Sequence, residues 1–137
     1  MESPYNEFVR DHYESPRNLG QLPNATHQAR LLRGDAMLEF QLRVESGRVV
    51  AATYRVIGCA ATVAAGSALT VWLVGKPLEE TQRVDGAFVM ALLGGLPDDR
   101  RFAADFAAVA LHAAMHGHEE RRTLRSGQAP NAERKTA

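Results

Sequence analysis

Hydrophobic and polar residues change their spacing several times along this chain, and each change marks an element. In residues 5–15, Tyr5, Phe8, Val9 and His12 share one face at helical spacing, which predicts an amphipathic helix. Pro16 ends it, because the residue before a proline avoids helical backbone. Residues 16–25 contain Pro16, Asn18, Gly20, Pro23 and Asn24 and read as a loop. Residues 27–33 fit an edge strand. Leu38, Phe40, Leu42 and Val44 then alternate with Glu39, Gln41 and Arg43, the period-two pattern of a half-buried strand. Ser46-Gly47 supplies a turn, and residues 48–57, rich in Val, Thr, Tyr and Ile, return antiparallel. These segments predict a small three-stranded antiparallel sheet.

After residue 59 the pattern turns helical. Residues 60–74 are apolar and small, with Gly75 as the glycine that ends the helix. Residues 77–83 predict a short helix or turn, and residues 84–93 a helix closed by Gly94-Gly95. Asp98-Asp99 favour a helix start. That last helix runs to about residue 117, with Phe102, Phe106, Val109, Ala110 and Ala113 as its apolar stripe. Residues 119–137 are charged, include Gly127 and Pro130, and predict a disordered polar tail. The order of helix, sheet, then helices is an α+β arrangement, with a domain at residues 1–118.

Composition narrows the picture. At 137 residues the chain suits one domain. Sixteen basic residues balance sixteen acidic ones, so no net field draws nucleic acid or an anionic membrane. Its single cysteine rules out an intramolecular disulfide and suits a reducing, cytoplasmic setting. The first residues, Met-Glu-Ser-Pro-Tyr-Asn-Glu, lack the basic and apolar regions of a secretory signal. Residues 56–75 are uncharged over about the length that spans a bilayer. Their strand end, alanines, Thr62, Gly66, Ser67 and Thr70 suit packing against a sheet instead.

Chemistry concentrates at Cys59. It follows a strand and Gly58 and precedes a helix. A helix N-terminus offers unpaired N–H groups and a favourable dipole to an anion. Thiolate is the nucleophilic and metal-binding form of cysteine, and such a position favours it. A buried structural cysteine is the competing account.

Several motifs in order resemble the IscU/NifU N-terminal scaffold family. They are Tyr5, Val9, His12-Tyr13, Pro16-Arg17-Asn18 and Gly20; Arg33-Gly34-Asp35; Ile57-Gly58-Cys59-Ala60; Ser67, Thr70, Trp72 and Gly75-Lys76; and Leu96-Pro97. The resemblance covers roughly residues 5 to 115. It implies a role in iron–sulfur cluster assembly, as a scaffold rather than an enzyme, with a cysteine desulfurase as partner. The family gathers three cysteines, an aspartate and a histidine at one end of the molecule. Here Arg33 stands at the first cysteine, and Phe102-Ala103 at the His-Cys pair. Asp35 and Cys59 remain as implied ligands for iron or a cluster. Two ligands do not complete the usual four, so the resemblance implies a second chain, as in a homodimer. Arg33 either stabilises an anion at Cys59 or pairs with a carboxylate such as Asp35. The family's segment for an Hsp70-type chaperone reads Leu96-Pro97-Asp98-Asp99-Arg100 here, and the two acids argue against that docking. SufE-type sulfur-transfer proteins share the fold and work with one cysteine in a Gly-Cys context. This implies an alternative in which Cys59 accepts sulfur as a persulfide. A regulatory module that only docks on the desulfurase is the third reading. Arg33, Asp35, Cys59 and Phe102 are expected near one another.

Other candidates are weaker. His112 and His116 are four apart on one helical face, with His118 just beyond, a spacing that permits a metal site. His12, His27 and Trp72 read as structural. Arg100-Arg101 and Arg121-Arg122 are short basic pairs among acids and read as solvated surface.

Overall fold

The computed structural model describes residues 3–116 and 122–125. It contains α1 (Glu7–Glu14), β1 (His27–Arg33), β2 (Ala36–Glu45), β3 (Arg48–Ile57), α2 (Ala60–Leu73), α3 (Gly86–Leu92), α4 (Phe102–His116) and β4 (Arg122–Arg125). Short 3-10 turns occupy Leu78–Arg83 and Asp98–Arg100. Each expected element is present. No described helix is long and apolar enough to cross a membrane.

The expected antiparallel sheet is there as β3-β2-β1, and β4 adds a fourth strand parallel to β1. Arg122–Arg125 belongs to the stretch expected as a disordered tail. The outer edge of β1 presents N–H and C=O groups, and an extended segment satisfies them. The rest of residues 119–137 lies outside the described residues.

Helices cover one face of the sheet. Leu38, Phe40 and Leu42 of β2, Ala29 and Leu31 of β1, and Tyr54 of β3 are buried there against α2 and α4. The opposite face departs from simple alternation, since Glu39 and Gln41 are also buried. Gln41 Nε2 donates to Glu39 Oε2 at 2.7 Å, and Gln41 Oε1 accepts the Leu22 N–H at 2.6 Å. Arg30 reaches Glu39 at 3.4 Å. The loop of residues 16–25 thus closes over polar side chains that satisfy one another.

Helix α2 is buried nearly all round, at ten of its 14 positions, which is why it shows no amphipathic stripe. Gly66 sets its distance from the sheet: a Cβ there would enter the Tyr54 ring. The Tyr54 hydroxyl donates to the Val63 carbonyl at 2.8 Å. Burial pushes this phenol up to about 12, against a smaller opposing effect of its hydrogen bond with Ser67, so it stays a neutral donor.

On the other side, α2 holds α1. Ser67 Oγ accepts the Arg17 N–H at 2.9 Å and lies 2.7 Å from Nδ1 of buried His12. Asn6 caps α1 by accepting the Val9 N–H at 2.7 Å. Its Nδ2 donates to the Leu93 and Gly94 carbonyls at 3.1 and 3.2 Å, tying α1 to the end of α3.

In α4 the buried face is mostly alanine: Ala103, Ala104, Ala107, Ala110, Ala113 and Ala114, with Phe106 and Leu111. Two members of the expected stripe fall outside it, since Phe102 is 39% and Val109 47% exposed. The helix packs against the sheet and also α2 and α3, and only small side chains permit close approach on several sides.

Two measurements check this account. Gly66→Ala should cost about 1–3 kcal/mol in urea unfolding, the usual range for overpacking; an unchanged midpoint would show that Tyr54 yields freely. Burial, then Arg17, hold His12 below its ordinary value, against a smaller upward pull from Asp11. Between the lowered folded pKa and the ordinary 6.5, the unfolded chain binds more protons, so stability falls as pH drops through that window. His12→Asn, which keeps a hydrogen-bonding group for Ser67, should flatten the dependence. The same slope in both proteins would exclude His12 as its source.

Candidate functional site

Cys59 is the N-cap residue of α2, with extended backbone at φ −77° and ψ 171°. Its carbonyl accepts the Val63 N–H at 3.1 Å, the first bond of the helix. The side chain is partly exposed and lies 3.5 Å from Thr62 Oγ1. Gly58 leaves that approach open: Thr62 Cβ would sit 3.3 Å from a Cβ on residue 58.

Burial, the largest influence, pushes the Cys59 thiol up. Hydrogen bonds from the Thr62 hydroxyl and the Thr62 and Ala61 backbone N–H groups, together with the Arg100 guanidinium, outweigh it and hold the thiol below its usual range. The cause is an anion at the open end of a helix.

Sheet register places the other expected residues. Met37 pairs with Ile57 and Arg33 with Ala36. Continuing that ladder puts the Gly34-Asp35 turn and the Gly58-Cys59 junction at one end of the sheet. Gly34 has φ +58°, which lets two residues close the hairpin. Asp35 is exposed on this turn. Arg33 does not pair with it: the Arg33 guanidinium lies over the Phe102 ring, 5.5 Å from its centre. Phe102 opens α4, so this contact joins the β1–β2 turn to the start of that helix. Ala103 is fully buried beside it and brings no donor. Of the expected gathering, the Arg33–Phe102 contact is the one observed, and the strand register puts Asp35 on the turn at the end of the sheet from which β3 leads to Cys59.

Sequence reasoning missed Arg100, which read as solvated surface. It is half-buried, and its charge reaches Cys59. A hydrogen bond with Tyr5, the largest cause, then Asp99 and the Tyr5 oxygen, raise its pKa against slight desolvation. Asp99 contacts it at 3.4 Å. A basic residue just ahead of a helix that abuts the cysteine was the available signal.

Two of the remaining histidines, His112 and His27, make contacts within the fold. His112 Nε2 donates to the Val84 carbonyl at 2.6 Å, which commits that nitrogen and ties α4 to the segment before α3. His116 is exposed at the end of α4, and His118 lies outside the described residues. His27 is buried with Nδ1 at 2.8 Å from the Thr26 hydroxyl. Trp72 packs edge-on against Phe88, with Lys76 over its ring.

Thr62→Val keeps the shape beside Gly58 and removes the hydroxyl. It should raise the Cys59 pKa and slow alkylation by iodoacetamide at pH 7, and Arg100→Ala should act in the same direction. Unchanged pH profiles in both variants would contradict this account of the thiolate.

The chain matches the family described as NifU-like N terminal domain over residues 4–125. It is 32% identical over 114 residues to the iron-sulfur cluster assembly scaffold protein IscU 1 of Archaeoglobus fulgidus, covering 81% of this chain and 74% of that one. It is also 32% identical over 120 residues to IscU of Aquifex aeolicus, covering 84% and 76%. Nitrogen fixation protein NifU of Cereibacter sphaeroides is 37% identical over 122 residues, 88% of this chain but 50% of that longer protein. The fold resembles the N-terminal NifU-like protein of Brucella abortus, with TM-score 0.55 at 20% identity over 85% of this chain and 84% of that one. Family match, relatives and fold agree with the motifs around Cys59, and this chain belongs to the NifU-like N-terminal domain family that includes the IscU scaffolds.

Proposed function

We propose that this protein takes part in iron–sulfur cluster assembly, as a scaffold-type protein whose working group is the Cys59 thiolate. The observation that carries the reading is the partly exposed Cys59 at the start of α2, with its anion stabilised by N–H groups, Thr62 and Arg100. The process comes from the relatives named as cluster assembly scaffolds.

Iron or a cluster would be the cargo. The Cys59 thiolate and Asp35 carboxylate are suitable donors. Among the described residues, no group of three or more His, Cys, Asp or Glu is arranged to hold a metal ion. One chain then supplies half of a four-ligand set, and a second copy supplies the rest in a homodimer. A cysteine desulfurase is the partner that delivers sulfur. Chaperone docking at residues 96–100 is not part of the proposal, since Asp98 and Asp99 occupy that turn.

Arg100 favours a second reading, sulfur transfer. A guanidinium beside a thiolate also stabilises a persulfide anion. In that step the Cys59 thiolate attacks the outer sulfur of a desulfurase persulfide. A new S–S bond forms on Cys59, the old one breaks, and the desulfurase cysteine leaves as thiolate.

One preparation tests both readings. The protein is incubated anaerobically with a cysteine desulfurase and cysteine, alkylated, and weighed intact. A gain of one sulfur, absent in Cys59→Ala, supports transfer. An unmodified mass beside an active desulfurase removes transfer. Reconstitution with iron and sulfide then decides the scaffold reading: dimer-associated visible absorption lost in both Cys59→Ala and Asp35→Ala is expected, and a colourless protein would overturn it.

A further inference from the structure

The far end of α2 from Cys59 carries three exposed valines. Val50, Val71 and Val74 are 44, 51 and 46% exposed. Backbone pairing brings them together. The Gly75 N–H donates to the Val49 carbonyl at 2.7 Å and the Val49 N–H to the Lys76 carbonyl at 2.9 Å, which sets Val50 opposite Val74. Val71 lies one turn before Val74 on the helix. Valine is a weak helix former, and its branched side chain gains nothing from solvent. A contiguous apolar patch of this kind suits a contact.

The rim of the patch holds both signs of charge. Lys76 Nζ lies over the Trp72 ring, 5.2 Å from its centre. Arg48 donates to the Gly75 carbonyl at 2.9 Å. Glu79 is exposed and lines one cavity with Arg48. Among the described residues none of the three forms an ion pair. In a two-fold contact the same surface meets itself, so a rim with an unpaired carboxylate and unpaired cations is complementary to its own copy. Sixteen basic and sixteen acidic residues leave no net repulsion between copies.

We propose that Val50, Val71 and Val74 form a self-docking face, covered by a second copy of this chain through a two-fold contact that sets Glu79 of each copy against Lys76 of the other. Cys59 caps α2 and the valines lie at its other end, about 20 Å away at 1.5 Å per residue. A copy docked there leaves both Cys59 ends facing outward. This face is therefore separate from any sharing of ligands at Cys59 and does not depend on it.

The test is sedimentation of the reduced, metal-free, full-length protein over about 1 to 100 μM, a range in which modest interfaces associate. The mass should rise from one chain to two, and should do so equally in Cys59→Ala. Val71→Glu sets a carboxylate under the second copy and should weaken association more than about tenfold. Val50→Glu, from a different element, should act alike, and thermal unfolding of both variants separates a lost contact from a lost fold. Glu79→Lys should weaken association about threefold, and adding Lys76→Glu should restore it, because the exchanged charges pair again. A single-chain mass at every concentration overturns the proposal; if that monomer floats with phosphatidylglycerol vesicles, the face belongs to a lipid surface instead. A dimer that survives Val71→Glu and Val50→Glu, or one lost in Cys59→Ala, also overturns it. So does a Glu79→Lys loss that Lys76→Glu deepens.

Discussion

Gly66 of α2 lies against the Tyr54 ring with no room for a methyl group between them. That approach sets the depth of the central helix, and the other layers follow from it. With α2 this close, Ser67 can serve His12 and the backbone of Arg17 together, so α1 and the loop behind it are fixed from one hydroxyl. Asn18 in that loop donates to Thr70 one turn later, and its carbonyl accepts the Tyr54 N–H. The edge of β3 and the outer side of α2 are thereby closed by the same short segment. Small residues make this possible at low conformational cost, and each also gives up area that a larger side chain would have buried.

The same helix presents the chemistry. Its buried body fixes the direction of its first turn, and Cys59 sits where the unpaired N–H groups converge. One arginine bears on it, and another lies on the Phe102 ring. Arg100 comes from the turn before α4 and acts on the sulfur; Arg33 comes from the end of β1 and rests on Phe102. The Arg100 guanidinium is one of the groups that hold the Cys59 thiol below its usual range. Ile57, 61% exposed beside Gly58, leaves apolar surface next to the partly exposed Cys59.

Much of the fold was legible in the sequence because local rules and tertiary packing agree there. The hairpin of β2 and β3 follows from period-two alternation and Ser46-Gly47, where Ser46 and Gly47 both take positive φ. The helix ends follow from Pro16, Gly75 and Gly94-Gly95, residues whose backbone preferences act without a partner. Cys59 at a strand–helix junction was readable for the same reason. Agreement failed where neighbours decide. The expected stripe of α4 included Phe102 and Val109, yet both are exposed and alanines fill most of the buried face, because helices and sheet crowd it from several sides. Glu39 and Gln41 looked solvent-facing, yet a loop closes over them.

By itself the sequence determined the order and type of the elements from α1 to α4 and the family, and it singled out Cys59 as the candidate for chemistry. These depend on spacing, turn residues and capping, all of which act over a few positions along the chain. Only the tertiary structure decided what surrounds that residue. Arg33 lies on an aromatic ring and not on Asp35, Arg100 reaches the thiolate, His112 is bound to a backbone carbonyl, and β4 joins β1. Each of these contacts joins residues brought together by the packing of α2 and α4 on the sheet, and no local pattern encodes the distance between them.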